Sequence, residues 1–335
     1  MQTDHPPIRW GIVGTGGIAT TLAEDISLVA DAEVAAVASR DQMRADAFAS
    51  RHQIPQAFGS YADLVDAEVD VVYIATPHSD HDETAAMFLR AGVPLLVEKP
   101  LTPTLERTER LLALAEQTQT FCMEAVWMRC NPLIRQAVAL VAEGTLGELR
   151  HASASFGFRF EVDDDHRLLN PELAGGAILD LGCYPAHFIE GFLGGPAAVF
   201  ARGTLAPTGV DATSSAQFVW PDPRITATAF ISLEASVTPR AELVGERGRL
   251  FFDNFVRPES MTLITHSDPE PQVFRTYLPG HGYTFEIDEV GRCVRAGLGG
   301  SPLVDAGSTR RVAGMLDAWR SALNAATGLT EIGVM

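Results

Sequence analysis

Short apolar runs alternate with helical patterns from Ile8 to Val126, and this alternation constrains the fold more than any other feature of the chain. Near-continuous apolar strands separated by helices predict a parallel sheet that is covered by helices on both faces, an α/β fold. The predicted strands are 8–14, 33–39, 70–76, 94–98 and 120–126, and the predicted helices between them are 17–30, 41–52, 79–91 and 104–118.

A different pattern follows residue 126. Apolar and polar residues alternate along Arg224–Leu233, and Pro221-Asp222-Pro223 predicts a turn that joins this strand to an antiparallel strand over 213–220. Further strands are predicted at 152–160, 240–246, 249–253 and 272–277, and further helices at 132–143, 285–296 and 308–325. Because 335 residues exceed what one core usually serves, we predict two domains: residues 1–126, and an α+β domain over 127–335 with an open, mostly antiparallel sheet that carries helices on one face.

Charge and composition exclude several classes of protein. The formal net charge is −18, without a basic stripe that could track phosphates along a nucleic acid or an anionic membrane surface. No apolar run approaches the roughly 18 residues of a membrane span, and the first seven residues are too polar for a secretion signal. The four cysteines show no CxxC spacing, which is typical of reduced thiols in a cytoplasmic protein.

A glycine-rich loop, Gly14-Thr15-Gly16-Gly17-Ile18-Ala19, closes the first predicted strand and opens the first predicted helix. It matches G-x-G-x-x-A, in which the first glycine makes the turn and the second lets a pyrophosphate approach the backbone at a helix N-terminus. Between a strand and a helix, this motif predicts a dinucleotide site rather than a purely structural turn.

The end of the second strand bears on the choice of cofactor. An acidic residue there would bond the ribose hydroxyls of NAD, but this chain has Ser39 and Arg40, with Arg44 one helical turn later. A hydroxyl and guanidinium groups suit a 2′-phosphate, so the sequence favours NADP over NAD. In the alternative, Ser39 caps the next helix and Arg40 is only solvated.

Lys99 is the one lysine of the chain, which has 25 lysine and arginine residues together. It lies in Glu98-Lys99-Pro100 after the fourth strand, and Thr76-Pro77 follow the third. Ligands of parallel sheets bind at such strand ends, so Lys99 is expected beside the nicotinamide. An ammonium also does chemistry that arginine cannot. The alternative is that the chain avoids lysine through a coding bias and that Lys99 remains by chance, without a chemical role.

Asp180, Tyr184 and His187 are spaced i, i+4 and i+7 in an apolar segment that begins at Gly175-Gly176, so they share one face of a predicted helix. Buried polar side chains need partners. An ammonium near Tyr184 would favour its phenolate and make this residue a usable proton donor or acceptor. The alternative is a buried polar cluster without a catalytic role.

The segment His78-Ser79-Asp80-His81 raises the possibility of a metal site. Its spacing suits a helix N-terminus better, with Ser79 or Asp80 as the cap, and no third or fourth ligand is evident. We therefore predict no metal.

Three motifs occur together in this chain: GxGxxA, Glu-Lys-Pro and Gly-Gly-x-x-x-Asp-x-x-x-Tyr. With them the chain resembles the glucose–fructose oxidoreductase / inositol dehydrogenase / rhizopine-catabolism (Gfo/Idh/MocA) family over nearly its whole length. The segment Glu124–Pro132 and Tyr184 are most similar to its dihydrodiol and NADP-dependent xylose dehydrogenase branch. The resemblance implies an N-terminal Rossmann domain and a catalytic pair, Lys99 and Tyr184, with Asp180 holding substrate hydroxyls. Inositol dehydrogenase-like members carry histidine where this chain has Tyr184, which leaves open whether Tyr184 or His187 moves the proton.

The expected site is therefore as follows. Cofactor contacts are expected from Gly14, Thr15, Gly16, Gly17, Ile18, Ser39, Arg40, Arg44, Thr76, Pro77, His81, Glu98 and Lys99, and substrate contacts from Trp127, Arg129, Phe158, Asp180 and His187. The expected reaction is NADP-dependent hydride transfer at a secondary alcohol of a neutral sugar, polyol or cyclic diol. An NAD-dependent glycosidase and a non-catalytic NADP(H)-binding sensor remain as alternatives.

The sequence also predicts a homodimer or a higher homo-oligomer. An open sheet with helices on one face leaves its other face to be covered. The mixed faces of Arg224–Leu233 carry small side chains and Phe230, and can pack on a second copy about a two-fold axis. The resemblance implies pairing through this sheet as well.

Overall fold

The computed structural model describes residues 5–325. These residues form two compact units, and the chain passes between the units more than once. Of the described residues, the first unit holds 5–137, Val256–Ser260 and Phe274–Ala313, and the second holds Val138–Phe255, Met261–Val273 and 314–325. A division into domains after residue 126 stays a prediction.

The first unit contains a six-stranded parallel sheet. Its strands are β1 (Ile8–Val13), β2 (Ala32–Ala38), β3 (Gln56–Phe58), β4 (Val71–Ile74), β5 (Leu95–Glu98) and β6 (Cys122–Ala125). They lie in the order β3-β2-β1-β4-β5-β6. The order reverses between β1 and β4, and ligands of such sheets bind at the carboxyl ends of the strands near that reversal.

Four helices connect these strands, as the alternating pattern predicted: α1 (Gly17–Ile26), α2 (Gln42–His52), α3 (His81–Arg90) and α4 (Leu105–Thr118). After β6 come the short α5 (Trp127–Cys130), which the sequence did not predict, and α6 (Pro132–Ala142), which it did. Local chemistry sets their starts: the Thr104 hydroxyl accepts a hydrogen bond from the Arg107 N–H at 3.3 Å and caps α4. The sequence did not predict β3, whose three half-buried residues are too few to show a pattern.

The second unit is built on an eight-stranded sheet in the order β14-β13-β12-β11-β7-β10-β9-β8. Its strands are β7 (Leu149–Gly157), β8 (Ala198–Leu205), β9 (Asp211–Val219), β10 (Thr226–Ser232), β11 (Ala241–Gly245), β12 (Gly248–Phe252), β13 (Ser260–Thr265) and β14 (Gln272–Arg275). Strands β7 and β10 pair in parallel, whereas β9 and β10 form the predicted antiparallel hairpin. The sheet is therefore mixed but mostly antiparallel, as predicted, and β8 and β13 are strands that the sequence did not indicate.

The predicted helix that carries Asp180 is interrupted in the structure. A π-helical turn, Ile178–Gly182, comes first, and α7 (Cys183–Leu193) follows directly. Gly182 lies close to two side chains: a Cβ added at this position would be 3.3 Å from both Ile231 and Trp319. The i, i+4 spacing of a continuous α-helix is thus only an approximation here, and π-helical turns are frequent at functional sites.

Two further helices complete the chain, α8 (Thr284–Arg295) and α9 (Ala306–Ala325). Helix α8 belongs to the first unit and is tied to α1. The buried Asp25 carboxylate accepts hydrogen bonds from the main-chain N–H groups of His281 and Tyr283, both at 2.8 Å. These contacts fix the start of α8 against the helix that follows the glycine loop.

Two expectations concern the whole chain. Within residues 5–325, no helix combines the length and the apolar composition that crossing a bilayer requires. The four cysteines are buried free thiols, as predicted: Cys122, Cys130, Cys183 and Cys293.

Candidate active site

The glycine loop lies between β1 and α1 and leaves the start of α1 open. Gly14 has a φ of 102°, and a Cβ at this position would lie 2.6 Å from the Ala75 carbonyl oxygen, so only glycine fits the turn. Gly16 precedes α1 without a side-chain cap. Apart from their chain neighbours and the backbone of α1, none of residues 5–325 comes within 4 Å of a Cβ added to Gly16 or Gly17. Thr15 and Ile18 flank them and are half-buried. This open cradle with uncapped N–H groups suits a pyrophosphate.

The predicted phosphate-binding group lies at the end of β2. Ser39 is 7% exposed, whereas the Arg40 side chain is 71% exposed, with Nη1 3.8 Å from Asp80 Oδ2. Ser39 does not cap α2, because the Asp41 side chain accepts the hydrogen bond from the Arg44 N–H at 3.2 Å. The Ser39 hydroxyl is therefore not used as a helix cap, and the Arg40 guanidinium is accessible.

Two buried glutamates hold the turn that carries Lys99. The Tyr73 hydroxyl donates to Glu98 Oε1 at 2.5 Å, and Glu98 Oε2 accepts from the Lys99 main-chain N–H at 3.0 Å. Glu124 Oε1 accepts from the Leu101 N–H at 3.0 Å. The two carboxylates thus bond the main chain on both sides of Pro100, which has no N–H of its own. The main chain at Lys99 is fixed by buried groups.

His81 joins the ends of β4 and β5. Its ring is fully buried, with Nδ1 2.9 Å from the Pro100 carbonyl oxygen and Nε2 3.0 Å from the Thr76 carbonyl oxygen. Burial lowers its pKa, and the carbonyl groups oppose that shift. His81 therefore contacts the main chain that surrounds the expected nicotinamide site.

The prediction that Ser79 or Asp80 caps the helix is wrong. Asp80 precedes α3 without a side-chain cap, because its carboxylate accepts a hydrogen bond from the Ser79 hydroxyl at 2.8 Å instead. Residues 5–325 contain no group of three or more histidine, cysteine, aspartate or glutamate side chains arranged to hold a metal ion.

A third buried glutamate, Glu286, lies near this turn and was not indicated by the sequence. Its side chain is fully buried, and neither carboxyl oxygen has a hydrogen-bond partner among the described residues. Burial, and then the charges of Glu98 and Glu124, raise its pKa well above the usual range. Burial and Glu98 likewise raise the pKa of Tyr73. Burial and the neighbouring carboxylates of Glu98 and Glu124 therefore favour the neutral, protonated form of Glu286.

In the second unit, Asp180 meets an arginine that the sequence did not single out. Asp180 is 5% exposed, and its Oδ1 lies 3.1 Å from Nη1 of Arg167. Asp211 anchors the π-helical turn, because its Oδ2 accepts the Ile178 N–H at 2.5 Å. Burial raises the pKa of Asp211. The carboxylate expected to hold substrate thus has a guanidinium partner and a fixed backbone.

Tyr184 begins a row of aromatic rings. Phe156 lies edge-on to Tyr184 at 5.6 Å between ring centroids, Phe158 follows at 5.3 Å, and Phe160 at 4.4 Å. Tyr184 is 8% exposed and His187 is 0% exposed. Phe158 therefore belongs to the aromatic surroundings of Tyr184, together with Phe156, which no sequence motif indicated.

Trp127 and Arg129 lie on α5 in the first unit, and both are half-buried. The Trp127 ring stacks on Tyr283 with centroids 4.6 Å apart and planes 9° apart. Gly282, at a φ of 105°, permits this stack, since its added Cβ would lie 2.7 Å from the Trp127 ring. One face of the Trp127 ring is thus covered by Tyr283.

Known proteins share both the sequence pattern and the fold of this chain. Residues 8–126 match the model of the oxidoreductase family with an NAD-binding Rossmann fold, and residues 134–251 match the Gfo/Idh/MocA C-terminal domain. The chain is 32% identical over 325 residues to trans-1,2-dihydrobenzene-1,2-diol dehydrogenase of Mus musculus, covering 94% of this chain and 97% of the relative. The chain belongs to the Gfo/Idh/MocA oxidoreductase family. The dehydrogenase of the same name from Xenopus tropicalis is 30% identical over 319 residues, covering 92% and 96% of the two chains.

Solved structures of the family agree with this fold. A 3-ketoreductase from Actinomadura kijaniata, in complex with NADP and TDP-benzene, is similar at 28% identity and a TM-score of 0.83, over 95% of this chain and 98% of that one. The same ketoreductase has been solved with one lysine replaced by alanine and with one tyrosine replaced by phenylalanine. An aldose–aldose oxidoreductase from Caulobacter crescentus, complexed with glycerol, shares the fold at a TM-score of 0.86 and 22% identity, with the same coverage.

Proposed function

We propose that this member of the Gfo/Idh/MocA family is an NADP-dependent oxidoreductase that acts on a secondary alcohol of a neutral sugar, polyol or cyclic diol. The observation that carries the proposal is the turn at Lys99: the single lysine of the chain follows β5, and two buried carboxylates hold the main chain of this turn at Lys99 and at Leu101. The relatives named for a dihydrodiol and the ketoreductase solved with NADP support the same reaction type.

The residues of the glycine loop and of the end of β2 fit NADP. Gly14, Gly16 and Gly17 leave room for the pyrophosphate at the start of α1. Ser39 and Arg40 offer a hydroxyl and a guanidinium to the 2′-phosphate. The contact between Arg40 and Asp80 is a weak ion pair at 3.8 Å, so a phosphate can replace Asp80 as the partner of Arg40. When bound there, NADP⁺ would supply the hydride acceptor for the alcohol carbon.

The chain's own residues handle the proton. As the alcohol carbon loses its hydride and becomes a carbonyl carbon, Tyr184 takes the hydroxyl proton, and the reverse direction returns it. The ammonium of Lys99 favours the phenolate form of Tyr184, and Asp180 holds a substrate hydroxyl. Tyr184 rather than His187 is assigned the proton because Tyr184 keeps some exposure whereas His187 has none.

We also propose that two copies pair through the outer face of the second sheet. Alternate residues of β10 are buried on the inner face, whereas Thr228 is exposed and Phe230 half-buried on the outer face. Phe200 on β8 is 61% exposed, and Phe251 on β12 is half-buried. Aromatic side chains among small polar ones on an open sheet form a surface that a second copy can cover.

The function is tested by incubating the purified protein with NADP⁺ and a panel of aldoses, polyols and cyclic diols while NADPH absorbance is recorded. The proposal expects NADPH to accumulate with at least one substrate. Glycoside cleavage without net NADPH would identify a glycosidase instead, and tight NADPH binding without either reaction would identify a sensor.

A further inference from the structure

Arg167 lies next to the carboxylate that is expected to hold the substrate. Nη1 of Arg167 is 3.1 Å from Asp180 Oδ1. The Asp180 side chain is 7% exposed, but the Arg167 side chain is 49% exposed. A guanidinium has five N–H donors in a planar fork, so a single contact with Asp180 leaves most of its donating capacity on the accessible side.

The loop that carries Arg167 is held against the segment that leads to Asp180. The Gly176 N–H donates to the Leu168 carbonyl oxygen at 2.8 Å, and the Gly175 N–H donates to the Asn170 carbonyl oxygen at 3.0 Å. A Cβ on Gly175 would lie 2.7 Å from the Arg167 carbonyl oxygen, so the loop approaches this closely only because residue 175 is glycine. The position of Arg167 is thus built into the fold.

The pair carries no net charge, and this determines what it can recognise. A neutral hydroxyl can donate to the Asp180 carboxylate and accept from the Arg167 guanidinium, because a hydroxyl has one donor and two acceptor lone pairs. A substrate with a second hydroxyl beside the reacting carbon would use both partners. A substrate without this hydroxyl would leave the buried carboxylate and its arginine without that ligand, and a site built to hydrogen-bond a hydroxyl discriminates strongly against a substrate that lacks it.

We propose that Arg167 determines specificity: together with Asp180 it binds the hydroxyl next to the carbon that is oxidised, and so selects vicinal diols over isolated secondary alcohols. This inference rests on the proposed function and extends it to a residue and a substrate feature.

The test compares trans-cyclohexane-1,2-diol with cyclohexanol in the presence of NADP⁺. Each alcohol is scored by kcat/KM, or by its competitive inhibition constant where turnover is too slow. The proteins are the wild type, Arg167→Met, Arg167→Lys and a matched control, Arg224→Met. Arg224 pairs with Asp222 on the exposed turn between β9 and β10.

We expect the preference for the diol to fall about 10- to 100-fold in Arg167→Met, the effect of one hydrogen bond to a charged group, and to fall less in Arg167→Lys. Arg224→Met should keep the wild-type preference. An equal loss for both alcohols would show that Arg167 only holds the loop, and would overturn the proposal. Where Arg167→Met does not fold, an unchanged preference in Arg167→Lys overturns it instead. A wild type without activity on any alcohol would refute the proposed function, and the inference with it.

Discussion

The hydroxyl of Tyr73 donates to Glu98 Oε1 at 2.5 Å, and the other oxygen of that carboxylate accepts the Lys99 main-chain N–H at 3.0 Å. Tyr73 lies on β4 and Glu98 on β5, which are neighbours in the parallel sheet. The pairing of two central strands thus sets the position of the Lys99 backbone. Because Tyr73 and Glu98 are both buried, the loss of this donor removes a hydrogen bond in the core that water does not readily replace.

Tyr73→Phe tests this relationship. The substitution removes only the hydroxyl and with it this buried hydrogen bond to a carboxylate, so we expect the free energy of unfolding to fall by about 1–3 kcal/mol. Urea denaturation of the variant and of the wild type measures the difference. Tyr277→Phe is the matched control, because Tyr277 is 82% exposed, and it should change stability little. Equal stability of the two variants would show that the Tyr73 hydroxyl is not needed at this turn.

Glu286→Gln tests the buried acid. The pKa of Glu286 is raised above its ordinary value of 4.5 in the folded protein, so the folded state holds a proton that the unfolded chain releases. Stability is therefore fully present below pH 4.5 and is lost as pH rises through the folded pKa, by up to about 1.4 kcal/mol per pH unit. Glutamine does not titrate, so the variant should gain stability relative to the wild type as pH rises.

Thermal unfolding midpoints from pH 4 to 9, measured on both proteins, check this expectation. Glu116→Gln, an exposed position on α4, controls for the loss of a surface carboxylate. If the curves of Glu286→Gln and the wild type run parallel over the whole range, Glu286 is not held protonated.

The cofactor prediction concerns Ser39 and Arg40. The double variant Ser39→Asp, Arg40→Ala replaces the phosphate-binding pair with a carboxylate that bonds ribose hydroxyls and repels a 2′-phosphate. We expect the ratio of kcat/KM for NADP⁺ over NAD⁺ to reverse in favour of NAD⁺. Steady-state kinetics with both nucleotides measure this ratio, and a wild type that already prefers NAD⁺ would refute the interpretation of this loop.

The dimer prediction concerns the outer face of the second sheet. Phe230→Asp places a charge where a second copy would pack, and burial of an unpaired charge is costly, so the variant should be monomeric at low micromolar concentration. Light scattering behind size exclusion measures the mass. Tyr277→Asp, at an exposed position outside that face, should stay dimeric. A wild-type species near the chain mass of 36.0 kDa would contradict the proposal.

Much of the fold could be predicted because its signals are local. The apolar runs of β1, β4 and β5 are buried throughout or nearly so, and their positions follow from the sequence to within one or two residues. Strand β8 was missed because most of its residues are exposed, which leaves no apolar alternation to detect. The π-helical turn at Asp180 was missed because a one-turn π-helix leaves the apolar spacing of the segment close to that of a continuous α-helix, which is what the sequence predicted.

The partners of the candidate site residues could not be predicted. Glu286 is separated from Glu98 by most of the chain, and in sequence it is one acidic residue among several on an amphipathic helix. Arg167 is one of many arginines, and only the folded loop brings it to Asp180. Sequence motifs identify residues whose type is unusual for their place, such as Lys99, whereas ordinary residues become informative only through contacts.

The most direct test of the central claim is Lys99→Met, measured for both turnover and NADPH affinity. If Lys99 supplies the charge that supports proton transfer, kcat should fall by about 10²- to 10⁴-fold. Fluorescence titration should show NADPH affinity within a few-fold of the wild type, because the glycine loop and Arg40 are unchanged. Lys99→Arg, which keeps the charge but not the compact ammonium, should also lose most of its activity. A Lys99→Met protein that keeps most of the wild-type kcat would contradict the account.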